Sequence, residues 1–254
     1  MTLKTIILAA GNGTRMNSDL PKVLHEIDGK PMINVLLDTV AKVKPDETVV
    51  VIGPDAENVK KAVSPNKTVV QTERLGTAHA VLTAKEYLQP FDGSVLILFG
   101  DSPLITEKII NNMVEQCNKG TDVVVLGFVP ADPARYGRLV LGEQGLNAIV
   151  EYKDATEAQR AIKLCNSGFM CVNGKHLLSL LEKVKNENAA KEYYLTDIVS
   201  LAKKENLKCD VVIGEASELI GVNTQEELAT ANEIYKNRIA QAPKSSFQST
   251  GKGF

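Results

Sequence analysis

The chain is poor in the residues that most readily announce a function. It has four cysteines, Cys117, Cys165, Cys171 and Cys209, and no two of them form a C-x-x-C pair. Scattered cysteines among apolar neighbours read as buried, reduced thiols, which suits a reducing compartment. The three histidines, His25, His79 and His176, lie far apart, and H-E-x-x-H is absent. That argues against a zinc site, structural or catalytic. Charge of one sign is lacking too: 29 Lys and Arg stand against 31 Asp and Glu, a net charge of −2. No overall field therefore draws in nucleic acid or an anionic membrane, and any polyanion bound here must be small and held by local groups. No apolar run approaches the ~20 residues of a membrane span. The start, Met1-Thr2-Leu3-Lys4, lacks the apolar stretch and cleavage site of a signal peptide. The expectation is a cytoplasmic protein with neither nucleic acid nor membrane as partner.

What is present is a core. With 254 residues, 44% of them apolar, the chain can fold without a disulfide or metal. Strand-length apolar runs at residues 5–10, 48–52, 68–71, 94–99 and 123–129 alternate with helix-like periodicity at 31–43, 56–63, 77–87 and 106–117. Pro31 suits a first helical turn and Thr106 an N-cap. This rhythm predicts an α/β fold, a Rossmann-like, mostly parallel sheet flanked by helices. After Pro130 the pattern changes. Residues 137–141 and 146–152 read as a hairpin, 154–162 as a helix, 169–172 as a strand, 175–184 and 196–203 as helices, and 209–213 as a strand. Residues 219–222 look strand-like. A long final helix at 224–239 opens on a capping box, Thr224 with Glu227. Residues 242–254, rich in Ser, Gly and Lys, read as a flexible tail. No hexapeptide or other repeat is visible.

Two segments carry chemistry by their own residue types. In Leu8-Ala9-Ala10-Gly11-Asn12-Gly13-Thr14-Arg15-Met16 a strand runs into small residues. Such residues let backbone approach a ligand, and consecutive N–H groups make a concavity for an anion. The carboxyl end of a parallel strand is where an open α/β sheet places its ligand. The dinucleotide fingerprint fails, because Met16 stands where its third glycine belongs, and nothing fits the P-loop pattern. Seven residues past Arg15 stands Lys22, within Leu20-Pro21-Lys22-Val23-Leu24. A lysine framed by apolar residues is oddly placed for solvation, and a phosphate would compensate its charge.

These two segments together resemble the signature of nucleoside-diphosphate-sugar pyrophosphorylases. The likeness narrows to the N-acetylglucosamine-1-phosphate uridyltransferase domains of bifunctional enzymes. It runs through Gln71-Thr72-Glu73-Arg74-Leu75-Gly76-Thr77-Ala78-His79-Ala80, then Phe99-Gly100-Asp101-Ser102-Pro103-Leu104-Ile105. It continues through Tyr136-Gly137-Arg138, Ile149-Val150-Glu151-Tyr152-Lys153-Asp154-Ala155, Asn166-Ser167-Gly168, Glu192-Tyr193-Tyr194-Leu195-Thr196-Asp197 and Gly221-Val222-Asn223, all in order from residue 3 to about 240.

The resemblance implies a nucleotidyltransferase over 1–223, with a nucleotide-binding part to about residue 130 and a small β-rich sugar-binding part to 223. A linker-type helix over 224–241 would follow. It implies UTP and N-acetylglucosamine 1-phosphate as substrates, and Mg²⁺ as cofactor. By this likeness the backbone of Leu8, Ala9, Ala10, Gly11 and Gly13, with Gln71, Gly76 and Thr77, would hold the nucleotide. An amide such as that of Gln71 carries both donor and acceptor and suits the imide edge of uracil. Phe99 and Gly100 would lie beside the substrates. Asp101, at a strand's carboxyl end, and Asn223 would hold the metal, a hard ion that takes oxygen ligands. Gly137, Glu151, Asn166, Tyr193 and Thr196 would hold the sugar phosphate. Arg15 is expected at the β- and γ-phosphates and Lys22 at the reacting centre, so that Arg15, Lys22 and Asp101 carry catalysis.

The sequence also departs from the family. Phe99 stands where a tyrosine is common, so no hydroxyl acts there. Asn12 replaces a lysine. No hexapeptide-repeat acetyltransferase domain follows, so that activity is not expected of this chain, and a monomer is the simplest expectation. Two other readings stay open at this point: a relative acting on another sugar phosphate, such as glucose 1-phosphate, and a catalytically silent nucleotide-binding subunit.

Overall fold

The structure, a computed structural model, describes residues 1–133 and 135–241. The elements follow in chain order as β1 (Thr2–Ala9), β2 (Glu26–Ile27), β3 (Lys30–Pro31), α1 (Met32–Lys42), β4 (Glu47–Ile52), α2 (Glu57–Ala62), β5 (Lys67–Val70) and α3 (Thr77–Leu82). Then come β6 (Gly93–Phe99), α4 (Glu107–Asn118), β7 (Val123–Phe128), β8 (Arg138–Gly142), β9 (Gly145–Val150), α5 (Glu157–Arg160), β10 (Cys165–Asn173), α6 (Leu177–Leu181), α7 (Asp197–Lys204), β11 (Cys209–Ile213) and α8 (Gln225–Gln241).

The main sheet has the order β11-β7-β10-β6-β1-β4-β5. β6, β1, β4 and β5 are mutually parallel, and β11 is parallel to β7. β10 is antiparallel to both β6 and β7. The expected mostly parallel α/β fold is therefore present, with one reversed strand at its middle. The β8–β9 hairpin joins the sheet through Arg138 and Cys165.

Unbroken apolar runs become central strands because alternate residues serve opposite faces. Ile6, Val49, Val51, Val95, Ile97, Val123 and Val125 pack with α3, α6 and α7 on one face. Ile7, Val50, Ile52, Leu96, Leu98, Val124 and Leu126 pack with α1 and α4 on the other. A third cluster seats α8, through Ala231, against Met16, Ile27, Met32 and Val222. Among the described residues no helix is long and apolar enough to cross a membrane.

Several boundaries differ from the sequence reading. Pro31 ends β3, one residue outside α1, rather than sitting in its first turn. The helix expected over 77–87 divides into α3 and a separate 3₁₀ turn, Lys85–Tyr87. The segment 219–222 is not a strand. Leu219 and Val222 belong to the loop that leads into α8; their side chains are buried in two separate apolar clusters, and no neighbouring strand pairs with them. Thr106 and Thr224 do cap α4 and α8: Thr106 Oγ1 accepts from Ile109 N, and Thr224 Oγ1 accepts from Glu227 N while Glu227 Oε2 accepts from Thr224 N. The expected tail, 242–254, lies outside the described residues.

Candidate active site

The parallel strands β1, β4, β5 and β6 deliver their carboxyl ends to one edge of the sheet. A cleft of about 240 Å³ opens there. Its walls include Leu8, Ala9, Ala10 and Gly11 from the end of β1, Lys22, Gln71 after β5, Gly76 and Thr77 at the start of α3, and Phe99 and Asp101 after β6. Ten of the residues singled out from the sequence thus share one cavity. Val23, Arg74, Ala80 and Glu192 also line it and were not singled out.

The two glycines of the loop do different things. A side chain on Gly11 would meet no protein atom within 4 Å, so the space over it is free for a ligand. Gly13 has φ +60°, and a Cβ there would lie 2.6 Å from Lys22 Cβ. Its bareness seats the lysine. Gly100 is buried, and its Cβ position is crowded by Val23, Ala9 and Ile33 at 3.2–3.4 Å. It therefore packs beneath the cleft floor without lining it.

Lys22 reaches across to the end of β6. Its Nζ donates to Asp101 Oδ2 and, at 3.0 Å, to Asn223 Oδ1. Arg15 Nη2 donates to the same Asn223 oxygen at 2.9 Å. Asn223 is held for this: its N donates to Glu227 Oε2 at 2.6 Å and its Nδ2 to Gly221 O at 3.1 Å. Val222 N donates to the Asp101 carbonyl at 2.8 Å, which docks the Asn223 loop beside the end of β6. Two cations and two oxygen-bearing side chains, from segments up to 208 residues apart, thus meet at one point.

The residues expected on the sugar side gather next to this cleft. Gly137 backs onto Glu151, whose carboxylate oxygens would lie 3.3–3.4 Å from a Cβ there. Thr196 Oγ1 donates to Glu151 Oε1 at 3.2 Å. Asn166 N donates to Gly137 O at 2.8 Å, and its Oδ1 accepts from Gly168 N at 3.0 Å, where the register of β10 against β7 shifts between Asn166 and Met170. Gly168 lies against the ring of Phe99. Tyr193 is tied to the Leu75–Ala78 wall of the cleft by backbone: its N donates to Leu75 O, and Ala78 N donates to its carbonyl. A Cβ on Gly76 would strike that Tyr193 backbone at 2.5 Å. Thr77 Oγ1 accepts from Leu195 N at 2.9 Å. Burial, reinforced by Asp154, Asp197 and Glu192, pushes the Glu151 carboxyl above its ordinary range, against the lowering effect of the Thr196 hydroxyl.

Gln71 is 4% exposed. Its Nε2 donates to Gly76 O at 3.2 Å and lies 3.1 Å from His79 Nδ1. Arg74 Nε donates to Ala10 O at 2.8 Å, which places a guanidinium on the rim. Arg74, Glu192 and His79 all lie inside the sequence blocks quoted above, and only the fold shows what they face.

Among the described residues, no group of three or more His, Cys, Asp or Glu gathers to hold a metal. Asp101 Oδ2 and Asn223 Oδ1 nevertheless converge on a single ammonium. Two oxygen donors facing one cation fit a hard divalent ion that completes its shell with water and phosphate oxygens.

A Rossmann-like sheet with a glycine loop, two converging cations and an oxygen pair at its carboxyl edge defines the class: the chain belongs to the MobA-like NTP transferase domain family, whose profile matches residues 5–191. Among curated proteins it is similar to those called bifunctional protein GlmU. It is 54% identical to that of Paramagnetospirillum magneticum over 242 residues, 94% of this chain and 54% of the relative. It is 56% identical to that of Rhodospirillum rubrum over 238 residues, 93% and 53%. The Roseobacter denitrificans protein is 48% identical over 242 residues, 94% and 54%. The chain spans about half the length of these relatives.

Proposed function

We propose that this chain joins UTP and N-acetylglucosamine 1-phosphate, releasing pyrophosphate and UDP-N-acetylglucosamine. One observation carries the reading: Lys22, Arg15, Asp101 and Asn223 meet beside a cleft whose floor is a bare glycine loop. The likeness to bifunctional GlmU proteins supports the choice of nucleotide and sugar.

The sugar's phosphate oxygen, already ionised near neutral pH, attacks the α-phosphorus of UTP, and pyrophosphate leaves. No general base is needed. The barrier comes from bringing two polyanions together and from charge developing on the leaving group, so positioned cations lower it. Lys22 neutralises the phosphates at the reacting centre, and Arg15 holds the β- and γ-phosphates. Gln71 meets the uracil edge at the β5 end of the cleft. Glu151 and Asn166 take sugar hydroxyls or the acetamido group. Asp101 and Asn223 would hold Mg²⁺, which would supply Lewis acidity when bound. Four buried free cysteines fit a reducing cytoplasm as the place of the reaction.

The test is pyrophosphate release from UTP with a panel of sugar 1-phosphates, with and without Mg²⁺. Release that needs Mg²⁺ and is fastest with N-acetylglucosamine 1-phosphate is expected. Faster release with glucose 1-phosphate would overturn the sugar assignment, and no release with any acceptor would overturn the enzymatic reading.

A further inference from the structure

A buried primary amide has two ends of nearly equal shape, and its neighbours decide which way it faces. At Gln71 the nitrogen end has two neighbours, Gly76 O and His79 Nδ1. Gly76 O, at 3.2 Å, can only accept. His79 Nδ1, at 3.1 Å, accepts when the imidazole is neutral and carries its proton on Nε2. Together they draw Nε2 inward. Oε1 has no donor among the described residues. Gln71 lines the cleft, whereas His79 does not.

We infer that His79 is a positioning residue for nucleobase choice. Its Nδ1, with Gly76 O, locks the Gln71 amide so that Oε1 faces the base. Such a site takes a pyrimidine that offers a ring N–H, as uracil does, and rejects cytosine, whose ring nitrogen is a bare acceptor. The inference rests on the uridine reading above. A site built around one hydrogen-bonding group discriminates strongly against an analogue that leaves the group unpaired. Turning the amide over would present a donor and reverse that preference.

The experiment compares kcat/KM for UTP and CTP, with the same sugar phosphate, in wild type, His79→Leu and His79→Asn. His79 is only partly buried, and leucine is near it in size. His79→Ala repeats the comparison without added bulk should the leucine variant unfold. Asparagine places a carbonyl oxygen near the former Nδ1 and keeps an acceptor there. The UTP:CTP ratio is expected to fall by about tenfold in His79→Leu, mainly through KM. In His79→Asn it is expected within about threefold of wild type. Equal losses with both nucleotides in His79→Leu, or an asparagine variant no better than leucine, would overturn the inference alone. A wild-type chain indifferent to UTP and CTP would overturn the uridine reading and the inference with it.

Discussion

The ammonium of Lys22 lies against the carboxylate of Asp101, although 79 residues separate them. The two meet because β1 and β6 are neighbours in the sheet, so the segments leaving their carboxyl ends share one edge. The proposed reaction needs that proximity, since a cation fixed there stabilises charge without reorganising. Lys22→Ala is expected to lower kcat by about 10²–10³-fold, or about 3–4 kcal/mol of barrier. Steady-state rates on protein shown to be folded by circular dichroism check this. Turnover like wild type would remove Lys22 from the chemistry.

The same contact bears on metal binding. In this arrangement the lysine ammonium sits on the two oxygens proposed to hold Mg²⁺. A divalent ion entering without nucleotide must displace it. Lys22→Ala is therefore expected to bind Mn²⁺ more tightly than wild type in the absence of nucleotide, read by electron paramagnetic resonance or calorimetry. Asp101→Asn, with one ligand charge removed, is expected to bind more weakly than either and to shift the Mg²⁺ dependence of turnover upward. Equal affinities in all three proteins would rule out Asp101 as a ligand.

The glycine loop gives a paired test. Gly11→Ala meets nothing in the protein, so its stability is expected within about 0.5 kcal/mol of wild type. Nucleotide binding should nonetheless weaken, because the added methyl fills space left for the ligand. Gly13→Ala combines a positive φ with a 2.6 Å approach to Lys22 Cβ. It is expected to lose at least about 1–2 kcal/mol of stability and to displace the lysine. Denaturant melts and nucleotide titrations separate the two variants. Reversed behaviour would contradict the division of roles.

Glu151 predicts a pH dependence of stability. Burial favours its neutral form in the folded chain, so the folded-state pKa lies above the ordinary 4.5. The sign follows from linkage: the unfolded chain releases this proton first as pH rises. The stabilising contribution is therefore complete below the ordinary value and lost as pH climbs through the raised one. Glu151→Gln, uncharged throughout, is expected to be more stable than wild type at neutral pH, and the gap should close toward pH 4. Sugar phosphate KM should rise in the same variant. A gap that widens in acid would contradict the burial argument.

Much of this was legible in the chain. Parallel, doubly covered strands announce themselves as unbroken apolar runs, and those at β1, β4, β6 and β7 fall where the runs are. Lys22 stood out because a lysine between Pro21 and Val23 lacks an obvious solvent role. The reversed direction of β10 was not legible, because a buried strand has the same alternation whichever way it runs. The segment 219–222 misled for a related reason: apolar loop residues that anchor in the core look like a strand until pairing is known. Arg74, Glu192 and His79 carried no local signal, since each matters only for what the fold sets opposite it. The difference between Gly11 and Gly13 is equally a property of three dimensions, one facing space and the other a lysine.

The most direct measurement follows the phosphorus atoms. UTP labelled at its α-phosphate is incubated with N-acetylglucosamine 1-phosphate, Mg²⁺ and the full chain. The label is expected in a nucleotide sugar, in step with unlabelled pyrophosphate, in wild type and only at trace rate in Lys22→Ala. Label that stays in UTP, or that appears as free UMP with no nucleotide sugar formed, would contradict the account.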